Sequence, residues 1–227
     1  MNVANIRCTP RKRKTALARA GLFRGDFLYF WGKRSMDVVL SAMALVVLWP
    51  IFLLIGLAIV LDSPGAGPIF AQTRVGWEGK CFTMYKFRTM IPNAEAELEN
   101  LLPQNEMDGP AFKIRFDPRI TRLGRFLRRS GIDELPQLWN VLRGDMSLVG
   151  PRPPLPREVA RYDGHQRRRL AVKPGLTCYW QVTPGRNTLS FDQWMELDLR
   201  YIHEQSLRTD GKILLATVGA VLGMEGA

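Results

Sequence analysis

Histidine and cysteine are scarce: the 227 residues contain two His and three Cys. His165 and His203 stand alone, without partners at ligand spacing, and both read as surface residues. Cys8, Cys81 and Cys178 are an odd number at wide spacings, which gives neither a disulfide framework nor a zinc site. A reducing cytoplasm is their natural setting. Acidic residues are missing from one end. Residues 1–34 hold nine Lys or Arg against one Asp, in a chain of net charge +11. Basicity gathered in a tail suggests anionic lipid. A nucleic-acid binder would more often spread it over a folded face, and no nucleic-acid partner is expected. Charge of either sign is absent from the 24 residues Val38–Leu61, between Asp37 and Asp62.

That run carries the first structural expectation. At about 1.5 Å per residue, a helix of this length crosses a hydrocarbon core of about 30 Å. Pro50 at its centre predicts a bend, because proline removes a helical hydrogen bond. Residues 1–32 read either as a disordered basic tail or as an interfacial segment, with Tyr29, Phe30 and Trp31 at headgroup level. A cleavable signal peptide is not expected, since no apolar core directly follows Arg11, Lys12, Arg13 and Lys14. The length suits one compact domain with an appendage, and 46% apolar residues suffice for a core.

The stretch that organises the rest runs from Arg128 to Pro153. Asp133 and Glu134 are adjacent carboxylates at the start of a short helix. Leu135, Leu138, Trp139 and Leu142 give it an apolar face, Pro136 is tolerable near its start, and Gly144 ends it. Arg128 and Arg129 before and Arg152 after make this helix start a candidate phosphate site. Ser130 with Asp133 equally fits a capping box, which is structure alone.

Elsewhere, Ile69–Val75 and Lys80–Arg88 read as two strands of a hairpin, with Lys86 and Arg88 on one face. Those two cations are either solvated or in contact with phosphate. Asn93 is expected to cap a helix, and residues 102–116 to form a loop. Thr121 should cap another helix, beside arginines at Arg119, Arg122, Arg125 and Arg128. Further helices are expected over Arg157–Arg169 and Phe191–His203, a strand over Leu176–Val182, and a turn at Gly185, Arg186 and Asn187. Ile213–Leu222 is apolar but too short to span, and reads as an interfacial or packed helix.

The stretch from Asp133 to Pro153 closely resembles the signature of the bacterial sugar transferases known as monotopic polyprenyl-phosphate phosphoglycosyl transferases, in their small, single-catalytic-domain form. The resemblance continues at Tyr85–Met90, at Pro174–Thr177, and through Gln181 to Gly185, Arg186 and Asn187, and it covers roughly Lys33 to Gly219. It implies an α+β, mostly helical membrane protein with a re-entrant membrane helix, interfacial amphipathic helices and a small β-hairpin. The divisions would be a basic tail at 1–32, the membrane helix at 33–62 and a catalytic domain at 63–227.

The implied reaction moves a sugar-1-phosphate from a UDP-sugar to polyprenyl (undecaprenyl) phosphate with release of UMP, as the first membrane step of a bacterial surface glycan. Asp133 would be the nucleophile and a ligand of magnesium, and Glu134 the base. Lys86, Arg88, Arg128, Arg152, Gln181, Arg186 and Asn187 would bind substrate. The setting would be the cytoplasmic face of the inner membrane, in contact with its lipid, and the resemblance is compatible with a homodimer. Two departures stand out. Trp49-Pro50 replaces the family's Ser-Pro pair at the helix break, and Cys178-Tyr179-Trp180, with an extra residue at Thr183-Pro184, replaces the usual Gly-Trp-Ala segment. Two other classes are weighed. A two-carboxylate glycosidase would place its acids about 5–10 Å apart across a sugar, not side by side. A membrane adaptor would depend on its basic tail.

Overall fold

The computed structural model describes residues 27–112, 114 and 116–223. The expectations for Cys8 and for the tail before Phe27 lie outside these residues. Helix α1 spans Phe27–Asp62, and helicity continues through Pro50. Strands β1 (Ile69–Val75) and β2 (Cys81–Phe87) follow as an antiparallel hairpin, with Ile69 opposite Phe87 and Val75 opposite Cys81. Next come α2 (Leu98–Leu101), α3 (Arg122–Ser130), α4 (Gln137–Arg143) and β3 (Ser147–Val149). Then α5 (Pro156–Ala160), β4 (Gly175–Thr177), α6 (Phe191–Glu204) and α7 (Leu207–Leu222) complete the order. Strand β4 pairs in parallel with β3, Ser147 opposite Gly175 and Val149 opposite Thr177. The backbones close so tightly there that a Cβ on Gly175 would run into Gly150.

Residues of α1 form part of the core. Leu45 and Leu48 pack against a cluster of Met84, Leu138, Val141, Met146, Leu148, Val149, Tyr201 and Ile213. Further along, Phe52, Ile55 and Ile59 pack against Phe87 and Leu127. The opposite side of α1 is apolar and exposed, including Val46, Val47, Leu53, Leu54, Leu57 and Leu61. A continuous apolar surface of this kind marks a contact with lipid or protein, and α1 is long and apolar enough to cross a membrane. Exposed Phe126 on α3 and Leu215, Val218 and Val221 on α7 add apolar surface beyond it.

Polar contacts tie the start of α1 to the rest. Lys33 Nζ pairs with Asp210 at 2.8 Å, with side-chain exposures of only 13% and 0%. Arg34 donates to the carbonyls of Val141 and Leu142 at 2.8 Å each, satisfying the last turn of α4. The Asp37 carboxylate accepts from Ser147 Oγ at 3.0 Å and Leu148 N at 2.9 Å.

Several expectations need correction. Asn93 has a left-handed backbone at φ 63°, and α2 begins five residues later without a side-chain cap. Arg119 lies before α3, buried against Asp117 at 2.6 Å, and does not extend the helix's basic face. The single helix over 157–169 is instead α5 and a separate 3-10 turn, Gln166–Ala171. Asp163 and Gln166 exchange backbone-to-side-chain hydrogen bonds between the two, a local restart of the chain. The strand over 176–182 stops at Thr177, and Trp180–Val182 is a 3-10 turn. Cys178 is free and buried, whereas Cys81 is disulfide-bonded, which the spacings do not suggest.

Candidate active site

Helix α3 starts as the sequence predicts, with Thr121 Oγ1 accepting from Gly124 N at 2.9 Å. It stops at Gly131, whose φ of 71° is a conformation that favours glycine. The Ser130 hydroxyl donates back to the carbonyls of Phe126 (2.9 Å) and Leu127 (3.1 Å). Ser130 therefore closes α3, and the alternative Ser130–Asp133 capping box does not form. The chain then turns through a 3-10 segment, Ile132–Glu134, and α4 begins behind Pro136. Leu138 and Val141 of α4 are buried, while Trp139 is 49% exposed, so the apolar face is narrower than its spacing suggests. Gly144 ends α4, as expected.

This turn presents the two carboxylates differently. Glu134 Oε1 meets Lys86 Nζ at 2.6 Å and Arg152 Nη1 at 3.2 Å. Gln181 Nε2 reaches Glu134 Oε2 at 3.5 Å. Burial opposes the Glu134 charge, yet Lys86 and Arg152 outweigh it and hold the carboxyl down at about 2. Asp133 is 7% exposed. Its burial pushes it above the usual carboxylate range, aided by the Glu134 charge, while Lys86, Arg128 and Arg152 act against the shift.

The remaining residues expected at the site divide clearly. Arg128 donates to Thr89 Oγ1 at 2.9 Å and acts electrostatically on Asp133. Arg186 donates to the Gln181 carbonyl at 2.6 Å, so it supports a neighbour of the carboxylates. Arg88 turns away to the Gly67 carbonyl at 2.7 Å and lies over the Phe70 ring, apart from this cluster. The side chain of Asn187 lies outside those described. A narrow cleft is lined by Arg74, Lys86, Glu134, Gln137 and Arg152 among others.

Sequence reasoning missed two parts of this site. Arg74 lines the cleft from β1, and the hairpin register, with Arg74 opposite Phe82 and Phe70 opposite Lys86, puts it on the same face as Lys86. Trp180 lies under the Arg152 guanidinium, 5.8 Å from its carbon, and stacks on Trp194 at 4.5 Å. Trp180 belongs to the segment that departs from the family pattern, and nothing local announces its contact with Arg152. Among the described residues, no group of three or more His, Cys, Asp or Glu could hold a metal ion by itself.

Comparison with known proteins gives the family. Residues 28–224 match the family model described as bacterial sugar transferase. The chain is 48% identical to the galactosyl transferase CpsE of Streptococcus agalactiae, over 74% of this chain and 37% of that protein. It is 41% identical to the undecaprenyl-phosphate galactose phosphotransferase of Salmonella typhimurium, over 86% and 41%. It is 39% identical to the exopolysaccharide production protein ExoY of Rhizobium meliloti, over 86% and 87%. The chain thus spans about two fifths of the first two relatives and most of the third.

Proposed function

This chain belongs to the bacterial sugar transferase family, and we propose that it transfers a sugar-1-phosphate from a UDP-sugar to polyprenyl phosphate, releasing UMP. The observation that carries this reading is the charge balance around the carboxylates. Lys86, Arg128 and Arg152 all act on Asp133, and Lys86 and Arg152 also pair with Glu134. Cations thus converge on the two carboxylates, where a diphosphate linkage with negative charge is a matched ligand. The names of relatives in lipid-carrier sugar transfer support the same reading.

The reaction has two steps. A carboxylate oxygen of Asp133 attacks the β-phosphorus of the UDP-sugar, and the bond from that phosphorus to the bridging oxygen breaks. UMP leaves with that oxygen, and the sugar phosphate stays on Asp133 as an acyl phosphate. A phosphate oxygen of the polyprenyl phosphate then attacks the same phosphorus and frees the Asp133 carboxylate. Lys86, Arg128 and Arg152 take up charge on the phosphoryl oxygens. A phosphate monoester has its second pKa near 6, so the acceptor is already largely ionised at neutral pH. Glu134, held near 2 by two cations, is a poor base in this arrangement. Its position favours ordering Lys86 and Arg152 over the base role that the resemblance implies.

Magnesium suits the donor set. Glu134 is engaged by Lys86 and Arg152, which leaves Asp133 as the carboxylate for an ion that usually binds one or two carboxylates plus phosphate oxygens. Bound there, it would neutralise charge on the phosphates. The reading also places the chain at the cytoplasmic face of the inner membrane, with α1 re-entrant. In support, contacts with the rest of the protein run along α1 from Tyr29, which donates to Asp210, to Ile59. Both flanks of the apolar run are thereby held to one body.

The test is a screen of UDP-sugars with undecaprenyl phosphate and magnesium, reading UMP and lipid diphosphate-sugar. UMP formed without that lipid product would refute transfer to the carrier. Free sugar as the product would point to a glycosidase.

A further inference from the structure

The segment that follows β3 contains Pro151, Pro153 and Pro154, none of which has a backbone N–H. Such a segment cannot join a ladder through those positions, yet its carbonyls still require donors. They come from scattered parts of the chain. The Val149 carbonyl accepts from Lys33 Nζ and Tyr201 OH at 3.0 Å each. Pro151 O accepts from Gly175 N, and Pro154 O from Val75 N, both at 2.9 Å. Arg152 O accepts from Arg169 Nη2 at 3.0 Å. Pro153 O accepts from Arg74 Nη1 at 3.1 Å.

Two of these donors are guanidinium groups that are themselves fixed. Arg169 is 6% exposed, paired with Asp198 and bonded through Nη1 to Tyr162 OH at 2.9 Å. Arg74 directs Nε and Nη2 to Gln72 Oε1, at 3.1 and 2.7 Å. Together they hold the two carbonyls directly after the Arg152 side chain. That side chain is 33% exposed, open to an incoming phosphate, with its guanidinium on Glu134 and over Trp180.

We propose that Arg74 and Arg169 are positioning residues for phosphoryl transfer: by gripping the carbonyls of Pro153 and Arg152, they fix the Arg152 guanidinium where it receives phosphate. The proposal rests on the transferase reading above. A phosphate clamp must be placed to a fraction of an ångström, and an error of about 1 Å can cost about 100-fold in rate. A proline-rich segment without its own ladder depends on outside donors for that accuracy.

The experiment is a set of double-mutant cycles on the full chain in lipid nanodiscs, reading UMP release against UDP-sugar concentration. Arg74→Lys, Arg169→Lys and Arg152→Lys are measured singly, then each positioning variant is combined with Arg152→Lys. Gln72→Ala is the mild arm, since it removes no charge and only frees Arg74. Each single variant should lose at least about fivefold in kcat/KM. Each double variant should lie within about twofold of Arg152→Lys alone, because residues acting through one group are not additive. Multiplied losses in the doubles would overturn the proposal and leave Arg74 and Arg169 as general stabilisers. Unchanged kinetics in both Gln72→Ala and Arg74→Lys would overturn it as well. A wild-type protein that releases no UMP would instead remove the transferase reading on which the proposal stands.

Discussion

Replacing Glu134 by Gln separates the two roles considered for this residue. Gln keeps the shape and one acceptor but removes the charge that faces Lys86 at 2.6 Å and Arg152 at 3.2 Å. The folded protein holds Glu134 at about 2, against 4.5 as the ordinary value. That difference corresponds to about 3 kcal/mol of stability at neutral pH. The sign follows from the depressed value. The contribution is complete above about pH 4.5 and fades as pH falls towards about 2, where both states bind the proton. Glu134→Gln should therefore lower Tm by roughly 6–12 °C at pH 7, at roughly 2–4 °C per kcal/mol for a chain of this size. Near pH 3 less than half of that difference should remain. The assay is thermal unfolding of both proteins in the same detergent at the two pH values. Equal Tm differences at both pH values would refute the ion-pair account. An unchanged Tm together with a lost second half-reaction would return Glu134 to the role of base.

Asp133→Asn should abolish UMP release. Without lipid acceptor, the wild type should release at most about one equivalent of UMP and gain the mass of one sugar phosphate by intact-protein mass spectrometry, whereas the variant should do neither. A folded, active Asp133→Asn enzyme would sink the nucleophile assignment. Glu134→Gln should still form some adduct, because its carboxylate is not the acceptor. Epitopes fused at both ends of the chain should resist protease in intact cells and be cut in inverted vesicles. Cleavage of either from outside would rule out a re-entrant α1.

The sequence was most legible where one local rule acts alone. The loop at 63–68 and the turn at Gly76 bound Ile69–Val75, which matches β1 at both ends. Thr121 and Gly144 mark the start of α3 and the end of α4, because a cap and a left-handed stop are one-residue devices. Phe191–His203 falls within one residue of α6. Legibility failed where two local rules compete. Ser130 can cap forwards or bond backwards, and Gly131 decides for the second by ending α3 first. It failed again where a role exists only across the fold. Arg88 and Lys86 are equivalent by spacing, yet Lys86 meets Glu134 while Arg88 meets the Gly67 carbonyl. A long signature pointed to Asp133, Glu134, Lys86, Arg128 and Arg152, which the fold brings together. It did not point to Arg74, Arg169 and Trp180, because their work is done on the backbone or guanidinium of Arg152.

The same cross-fold contacts change how α1 should be understood. A membrane anchor needs only apolar length, but α1 carries Lys33, Arg34 and Asp37 at the edge of its uncharged run. Lys33 grips the carbonyl of Val149, three residues before Arg152. Arg34 completes α4, which begins three residues after Glu134. Asp37 receives Ser147 and Leu148 of β3, the strand that leads into the proline segment. Asp210 is fully buried with Lys33 as its ion-pair partner, and removing one member of such a pair typically costs about 3–5 kcal/mol. The long apolar helix thus supplies donors and an acceptor to the elements carrying Arg152 and Glu134. Its outer face is exposed and apolar, and its inner face is part of the scaffold that holds Arg152 and Glu134. Under the proposed function, a site for one water-soluble and one lipid-borne phosphate would gain from that arrangement, because the same contacts fix the helix and the placement of Arg152.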